Sequence, residues 1–176
     1  MLIHRGRRFE LHEVQIPAAG GDVVGREMIV HPGSVVVLPL LGDGRAVLIR
    51  NHRFTAGREL LELVAGTLEP PEPPEACALR ELREEAGYDA ARIAPLGCFH
   101  LAPGTSTEVM YAFVAEGLID VGQQLEPTER IRVECFTLAR LREMLVHGEF
   151  EDAKTMAVLG MWLLRHDRDG DAGTVA

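Results

Sequence analysis

The chain has few cysteines, and its histidines lie in no metal-binding pattern. The three cysteines, Cys77, Cys98 and Cys135, are an odd number without CxxC spacing and lie in apolar stretches, so we expect reduced, buried thiols. The seven histidines are scattered singly, without HxH or HExxH spacing. This argues against a zinc site.

Long apolar runs and positive charge are also scarce. No run approaches the roughly 18 apolar residues of a membrane helix, and the N-terminus lacks a signal-peptide core. The sequence therefore predicts no membrane association and a cytoplasmic location. A net charge of −9 argues against a nucleic-acid partner, and 176 residues with 47% hydrophobic content predict one domain with a proper core.

The most informative stretch is Gly66 to Tyr88, which reads GTLEPPEPPEACALRELREEAGY. Pro73 and Pro74 suit a helix start, residues 75–86 are mostly good helix formers, and Gly87 is placed to end the helix. Apolar side chains recur here every three or four residues, which predicts a stripe facing the core. The stripe consists of Ala76, Leu79, Leu82 and Ala86.

Three glutamates project elsewhere from the same helix. Glu81 and Glu85 lie nearly one turn apart, with Glu84 alongside. Two carboxylates about 4 Å apart repel by about 4 kcal/mol at an effective dielectric constant near 20. A hard divalent cation would reverse the sign of that interaction. The alternative is a surface helix whose glutamates are simply solvated.

The spacing of seven residues favours a cation site over a solvated surface helix. They are Gly66, Glu72, Arg80, Glu81, Glu84, Glu85 and Gly87. This pattern resembles the signature of the Nudix hydrolases, with Tyr88 where the family usually has an aliphatic residue. The resemblance implies an α/β fold, the Nudix α/β/α sandwich with a mixed sheet. It also implies hydrolysis of a nucleoside diphosphate linked to another group, with Mg²⁺ or Mn²⁺ as cofactor.

The resemblance also implies the metal ligands. They are Glu81, Glu84, Glu85 and the backbone carbonyl of Ala65, which follows Val64 where the family usually has proline. Arg80 is expected to pair with a neighbouring carboxylate and to orient it.

The region after the helix resembles the ADP-ribose pyrophosphatase subgroup. Pro103 lies fifteen residues beyond Tyr88, a spacing that marks the subgroup, and Gly104 and Glu108 match the same segment, although Ala102 replaces the usual serine. The resemblance implies that Pro103, Gly104 and Glu108 help to bind substrate. A proline in a turn by itself is usually only a turn.

Other residues receive roles from the same resemblance. Arg53, in the sequence His52-Arg53-Phe54, matches an arginine that binds phosphate or the terminal ribose. Glu129, or as second choice Glu126, matches the loop glutamate that positions or deprotonates the attacking water. A solvated loop glutamate is the alternative for both. Glu69 either reaches the substrate or is solvated.

The N-terminal residues predict an antiparallel extension. Arg8–Ile16 and Asp22–Val30 alternate with period two around a glycine turn. The resemblance implies strands that pair with a second subunit in a homodimer, with Arg26 and Glu27 contacting substrate across the interface; a simple edge hairpin is the alternative. The expected organisation is residues 1–31 for these strands, 32–166 for the hydrolase domain and 167–176 for a flexible tail.

The remaining pattern predicts the other elements of the domain. A hairpin of two strands buried on both faces is expected over 34–41 and 45–51, and a strand over 60–66. Strands over 92–101 and 108–115, a polar loop over 116–130, a strand over 131–137 and helices over 138–147 and 152–165 complete it.

The sequence as a whole predicts Mg²⁺-dependent hydrolysis of ADP-ribose to AMP and ribose 5-phosphate. Another nucleoside diphosphate sugar such as GDP-mannose, or a nucleoside triphosphate, is the alternative substrate. A sensor that binds ADP-ribose without cleaving it is a more remote alternative, because the chain retains every signature glutamate.

Overall fold

A computed structural model describes residues 1–170. Its strands are β1 Leu2–Arg5, β2 Glu10–Pro17, β3 Val23–Val30, β4 Ser34–Leu40, β5 Arg45–Arg53, β6 Arg58–Glu62, β7 Val64–Thr67, β8 Tyr88–His100, β9 Val109–Asp120 and β10 Ile131–Thr137. Its helices are α1 Pro74–Glu81, followed by a π-helical turn Leu82–Ala86, α2 Leu138–Val146 and α3 Ala153–Gly170.

A seven-stranded mixed sheet forms the centre of the molecule. Its order is β10-β5-β4-β9-β8, with β6 added to β5 and β7 added to β4, and β4 runs parallel to β9. The predicted β4–β5 hairpin is confirmed only at its turn, where Leu40 pairs with Ala46. Beyond the turn β4 pairs with β7 and β9, while β5 pairs with β6 and β10. The residues predicted as one strand over 60–66 instead form parts of two strands, β6 and β7. Because β6 pairs with β5 and β7 pairs with β4, these two strands connect the two halves of the sheet.

The sheet is covered on both faces, as the apolar run in β4 predicts. Val35 and Val37 pack in one core with the α1 helix, and Val36 and Leu38 pack in a second core with α2 and α3. All four side chains are fully buried. Since successive side chains of a strand point to opposite faces, this alternation confirms the expected α/β/α sandwich.

The helix that carries the three glutamates begins and ends where the sequence predicts. Pro73 precedes its first residue, and Gly87 ends it in the left-handed conformation, with φ of 76°. The predicted apolar stripe is wrong at its start, because Ala76 is exposed and Leu79 only half-buried. The buried side is rotated along the helix and includes two carboxylates. It consists of Cys77, Ala78, Glu81, Leu82, Glu85 and Ala86.

Two element boundaries and two cysteines differ from expectation. Strand β9 runs to Asp120, so the polar loop spans only 121–130. Helix α3 continues to Gly170 rather than ending near Arg165, and the rest of the predicted flexible tail lies outside the described residues. Cys98 and Cys135 are exposed, because β8 and β10 are the outer strands of the sheet. None of the helices in residues 1–170 is long and apolar enough to cross a membrane.

The N-terminal residues form a separate antiparallel sheet in the order β1-β2-β3. The β2–β3 pairing is continuous from Glu10↔Val30 to Pro17↔Val23, as expected, whereas β1 was not predicted. The backbone of Ile29 exchanges hydrogen bonds with Thr105 and Thr107, which attaches this sheet to the β8–β9 loop. The attachment brings the start of the chain to the same side of the domain as the α1 helix.

We predict that Gly87→Ala lowers the free energy of unfolding by about 2 kcal/mol or more. The left-handed φ strains any side chain, and a Cβ there would lie 2.7 Å from the Gln123 backbone nitrogen. The matched control is Gly122→Ala, at φ of 78° with no atom within 4 Å of its Cβ, which should lose only about 1 kcal/mol. Urea unfolding measures both, and equal losses would contradict the steric argument.

Candidate active site

A cavity of about 670 Å³ opens between the end of β7, the α1 helix and the loops next to the N-terminal sheet. Most of the predicted site residues converge on it. These are Arg53, Ala65, Glu69, Glu81, Glu84, Glu85, Glu108, Glu126 and Glu129. The structure thus assembles residues that are up to 76 positions apart in sequence.

Arg80 organises the acidic side of the cavity. Its Nη1 donates to Glu81 at 2.8 Å and to Glu84 at 3.0 Å, and its Nη2 donates to Glu72 at 2.8 Å. One guanidinium therefore contacts three carboxylates that would otherwise repel one another. The expectation that Arg80 orients a neighbouring carboxylate is supported by this geometry.

Glu85 is held from the opposite side by the backbone. Its Oε2 accepts a hydrogen bond of 2.9 Å from the Ala65 amide, which leaves Oε1 for another partner. Burial raises the pKa of Glu85 to about 8, and the charge of Glu81 adds to the effect. Burial likewise raises the pKa of Glu81 to about 7 despite the neighbouring Arg80. Both carboxylates resist ionisation where no cation compensates their charge.

Gly66 makes room for this arrangement. A Cβ at this position would lie 1.8 Å from the Glu81 carboxyl carbon, so no larger residue fits unless Glu81 moves. A steric requirement, and not its backbone conformation, therefore explains why glycine occupies this position of the signature. It allows the Glu81 carboxylate to approach the end of β7 closely.

The loop glutamates Glu126 and Glu129 line the same cavity. The Glu129 carboxylate accepts a 2.9 Å hydrogen bond from the Glu126 amide. The charge of Glu129 contributes to raising the pKa of both Glu81 and Glu85. The choice between Glu129 and Glu126 as the base stays a prediction.

Arg53 and Lys154 bring positive charge to the same cavity. Arg53 donates from Nε and Nη2 to the two oxygens of Glu62, at 2.8 and 2.6 Å. Lys154 also contacts Glu62, at 2.5 Å, and lines the cavity beside Arg53. Glu108 lies further along, where it accepts a hydrogen bond of 2.5 Å from the Ser34 hydroxyl.

Four predicted substrate-binding residues do not line this cavity in the described part of the chain. Arg26 and Glu27 lie exposed on β3, and Pro103 and Gly104 lie in the exposed turn between β8 and β9. Their roles stay predictions.

Sequence reasoning missed several residues that the cavity contains. Arg7 and Arg8, in the β1–β2 loop, line its mouth, and Ser34 and Lys154 line its wall. The RGRR run at 5–8 was visible in the sequence as a basic segment. No local signal marks Ser34 or Lys154, because each reaches the cavity only through the tertiary fold.

The residues present fit a divalent cation. The donors are carboxylate oxygens, which Mg²⁺ and Mn²⁺ prefer, and two of them are buried with raised pKa values that a cation would relieve. Across residues 1–170 no three acidic, histidine or cysteine side chains already stand in a ligand geometry. Glu81 and Glu84 instead contact Arg80, so binding a cation requires these side chains to adjust.

An α/β/α sandwich with clustered helix carboxylates in a cavity fits a hydrolase that uses a divalent cation. The family description "NUDIX domain" matches residues 30–159. The chain belongs to the Nudix family.

Curated relatives extend this similarity along most of the chain. An ADP-ribose pyrophosphatase of Bacillus subtilis is 33% identical, covering 87% of this chain and 84% of its own. An ADP-ribose pyrophosphatase of Mycobacterium tuberculosis is 38% identical over 88% and 76%. A GDP-mannose pyrophosphatase of Escherichia coli is 30% identical over 92% and 91%.

Among solved structures, one described as an ADP compounds hydrolase superposes with a TM-score of 0.82. It covers 99% of this chain and 94% of its own at 24% identity. This likeness confirms the fold, including the N-terminal sheet that the expected sandwich carries as an extension.

The Glu72–Arg80 ion pair predicts that the stability difference between the wild type and a Glu72→Gln variant depends on pH. The hydrogen bond from Arg80 lowers the pKa of Glu72 to about 2, so its contribution is present above the unfolded pKa of about 4.5 and is lost as the pH falls toward 2. We expect Glu72→Gln to cost about 1–2 kcal/mol at pH 7, because water screens part of the pair, and less at pH 3.5.

Urea unfolding at pH 7, 4.5 and 3.5 measures this difference. The control is Glu143→Gln, whose exposed pair with Arg140 is 3.5 Å long and should matter little at any pH. A Glu72→Gln difference that does not change between pH 7 and 3.5 would contradict the pKa assignment.

Proposed function

We propose that this protein hydrolyses ADP-ribose to AMP and ribose 5-phosphate, with Mg²⁺ as the working cation and Mn²⁺ as a substitute. The observation that carries the proposal is the acidic cluster of Glu81, Glu84 and Glu85 in a cavity that Arg53 and Lys154 also line. The named activity of the two ADP-ribose pyrophosphatases, which are similar over nearly 90% of the chain, supports the choice of substrate.

The residues of the cavity divide the work between them. Glu81 and Glu85, with Glu84 and the Ala65 carbonyl, would hold the cation, and that cation would supply charge compensation for the phosphoryl oxygens and a more acidic water. Arg53 would bind the anionic part of the substrate. Glu69 and Glu108 would contact the remaining groups of the nucleotide in the cavity, and Pro103 and Gly104 would contact any part of it that extends beyond the cavity.

Glu129 would act as general base. It would accept a proton from the water whose oxygen bonds to one phosphorus, while the bridging oxygen leaves with the other phosphate. Glu126, whose backbone amide binds the Glu129 carboxylate, would then fix the orientation of the base rather than replace it.

GDP-mannose stays the second candidate substrate, because a GDP-mannose pyrophosphatase is similar over an equally large share of the chain. A hydrolysis assay with ADP-ribose, GDP-mannose and nucleoside triphosphates, with and without Mg²⁺, separates the two. We expect Mg²⁺-dependent release of AMP from ADP-ribose as the fastest reaction. Faster cleavage of GDP-mannose would replace the proposed substrate, and ADP-ribose binding without cleavage would point to a sensor.

We predict that Glu85→Gln reduces kcat for ADP-ribose hydrolysis by about 100-fold or more, because it removes a charge that holds the cation. The matched control is Glu75→Gln, at an exposed position in the first turn of the same helix, and it should retain wild-type activity. Steady-state kinetics at saturating Mg²⁺ measures both. Activity of Glu85→Gln within tenfold of wild type would reject the metal assignment.

We also propose that two chains associate through the N-terminal sheet. This sheet exposes large apolar side chains on its strands and loop, among them Val23 at 62%, Ile3 at 47% and Phe9 at 46%. A second copy would cover them and would bring Arg26 and Glu27 to the partner's cavity. The cytoplasmic location stays a prediction.

Light scattering after gel filtration tests the dimer. The expected mass is twice the 19.3 kDa of the chain, and Val23→Glu should shift it toward the monomer, because it places a charge in the apolar contact. A wild-type protein that runs as a monomer at micromolar concentration would contradict this proposal.

A further inference from the structure

Glu62 is the most deeply buried carboxylate beside the cavity, and none of the roles proposed so far involves it. Its side chain is 1% exposed, so it cannot touch a substrate. Burial opposes its ionisation, yet the hydrogen bond from Arg53 and the charge of Lys154 lower its pKa overall. Glu62 is therefore an ionised group inside the protein that contacts two cations.

The contacts fix the orientation of Arg53. The Nε and Nη2 atoms are both occupied by Glu62 in a two-pronged arrangement. Among the described residues 1–170, no hydrogen-bond acceptor contacts the Nη1 atom of Arg53. The Arg53 side chain lines the cavity. A guanidinium held along one edge presents its other edge in a fixed direction.

Lys154 fixes Glu62 in turn. Its ammonium donates to Glu62 at 2.5 Å and to Asp152 at 2.8 Å. Asp152 also accepts from the backbone amide and the hydroxyl of Thr155, and that hydroxyl accepts from the Leu63 amide at 2.8 Å. The start of α3 is thereby attached to the bend between β6 and β7, next to Glu62.

A neighbouring ion pair makes the same contact without being buried. Arg50, on the same strand as Arg53, makes the same two-pronged contact with Glu134, at 2.7 and 3.1 Å. That pair is about one third exposed and does not line the cavity. A buried ion pair gives little net stability because desolvation offsets its attraction, so the placement of Glu62 calls for another reason.

We propose that Glu62 and Lys154 are positioning residues that hold Arg53 in the orientation that binds the anionic part of the substrate. This inference rests on the proposed function, because it takes the substrate to be a nucleotide with a diphosphate. Neither residue participates in the chemical step. Their loss should therefore weaken substrate binding more than turnover.

Steady-state kinetics in a double-mutant cycle tests the proposal. The variants are Glu62→Gln, Lys154→Met, Arg53→Met and each of the first two combined with Arg53→Met. We expect Glu62→Gln and Lys154→Met to raise KM by about tenfold with kcat changed by less than about threefold. In the Arg53→Met background the same substitutions should change KM by less than about twofold, because they act through Arg53.

Glu134→Gln is the matched control, since it removes the carboxylate from the exposed two-pronged pair on the same strand. It should leave KM and kcat within about twofold of wild type. Thermal unfolding of every variant shows whether it is folded, and if Glu62→Gln does not fold, the Lys154→Met arm decides. Lys154 can be replaced without leaving Glu62 unpaired, because Arg53 remains in contact with it.

Two results would overturn the proposal. One is a KM within twofold of wild type for the folded variants; the other is an equal increase in KM with and without Arg53, which indicates a general structural effect. The kinetics use whichever nucleotide the wild-type protein hydrolyses fastest. A preference for another substrate would thus reject the proposed function, while the cycle still decides the role of Glu62.

Discussion

The structure depends on two carboxylates that are held where their charge is unfavourable. Glu81, at the end of α1, and Glu85, in the π-helical turn that follows, are both buried, and burial raises the pKa of each. Gly66 gives Glu81 its space, the Ala65 amide binds Glu85, and Arg80 binds Glu81. Strand β7, helix α1 and the π-helical turn supply all of these contacts, so the acidic cluster is built from one continuous stretch of the chain.

The cavity combines charges of both signs. Carboxylates of the glutamate helix and of the 121–130 loop line it together with Arg53 and Lys154. A diphosphate would suit such a site, because the carboxylates would hold a cation and the guanidinium of Arg53 would add a further positive charge. Within a chain of net charge −9, Arg53 is paired with the buried Glu62.

Local patterns predicted the fold well, and long-range contacts explain what they missed. Helix boundaries at Pro73 and Gly87 and the strand 131–137 follow from turn residues and periodicity, which are local. The buried side of α1 is rotated, with Ala76 exposed, because Glu81 and Glu85 lie against β7. The exposure of Cys98 follows from the edge position of β8 in the sheet order, which one sequence does not show.

The site residues divide in the same way. The spacing of Glu81, Glu84 and Glu85 is local and identifies the acidic cluster, whereas Glu62 and Lys154 are 92 residues apart and meet only in the folded chain. Thermal unfolding with and without Mg²⁺ tests the central claim most directly, since a cation that binds only the folded state raises its stability. We predict that Mg²⁺ raises the Tm of the wild type and not of Glu85→Gln. No shift in the wild type, or the same shift in both proteins, would contradict the account.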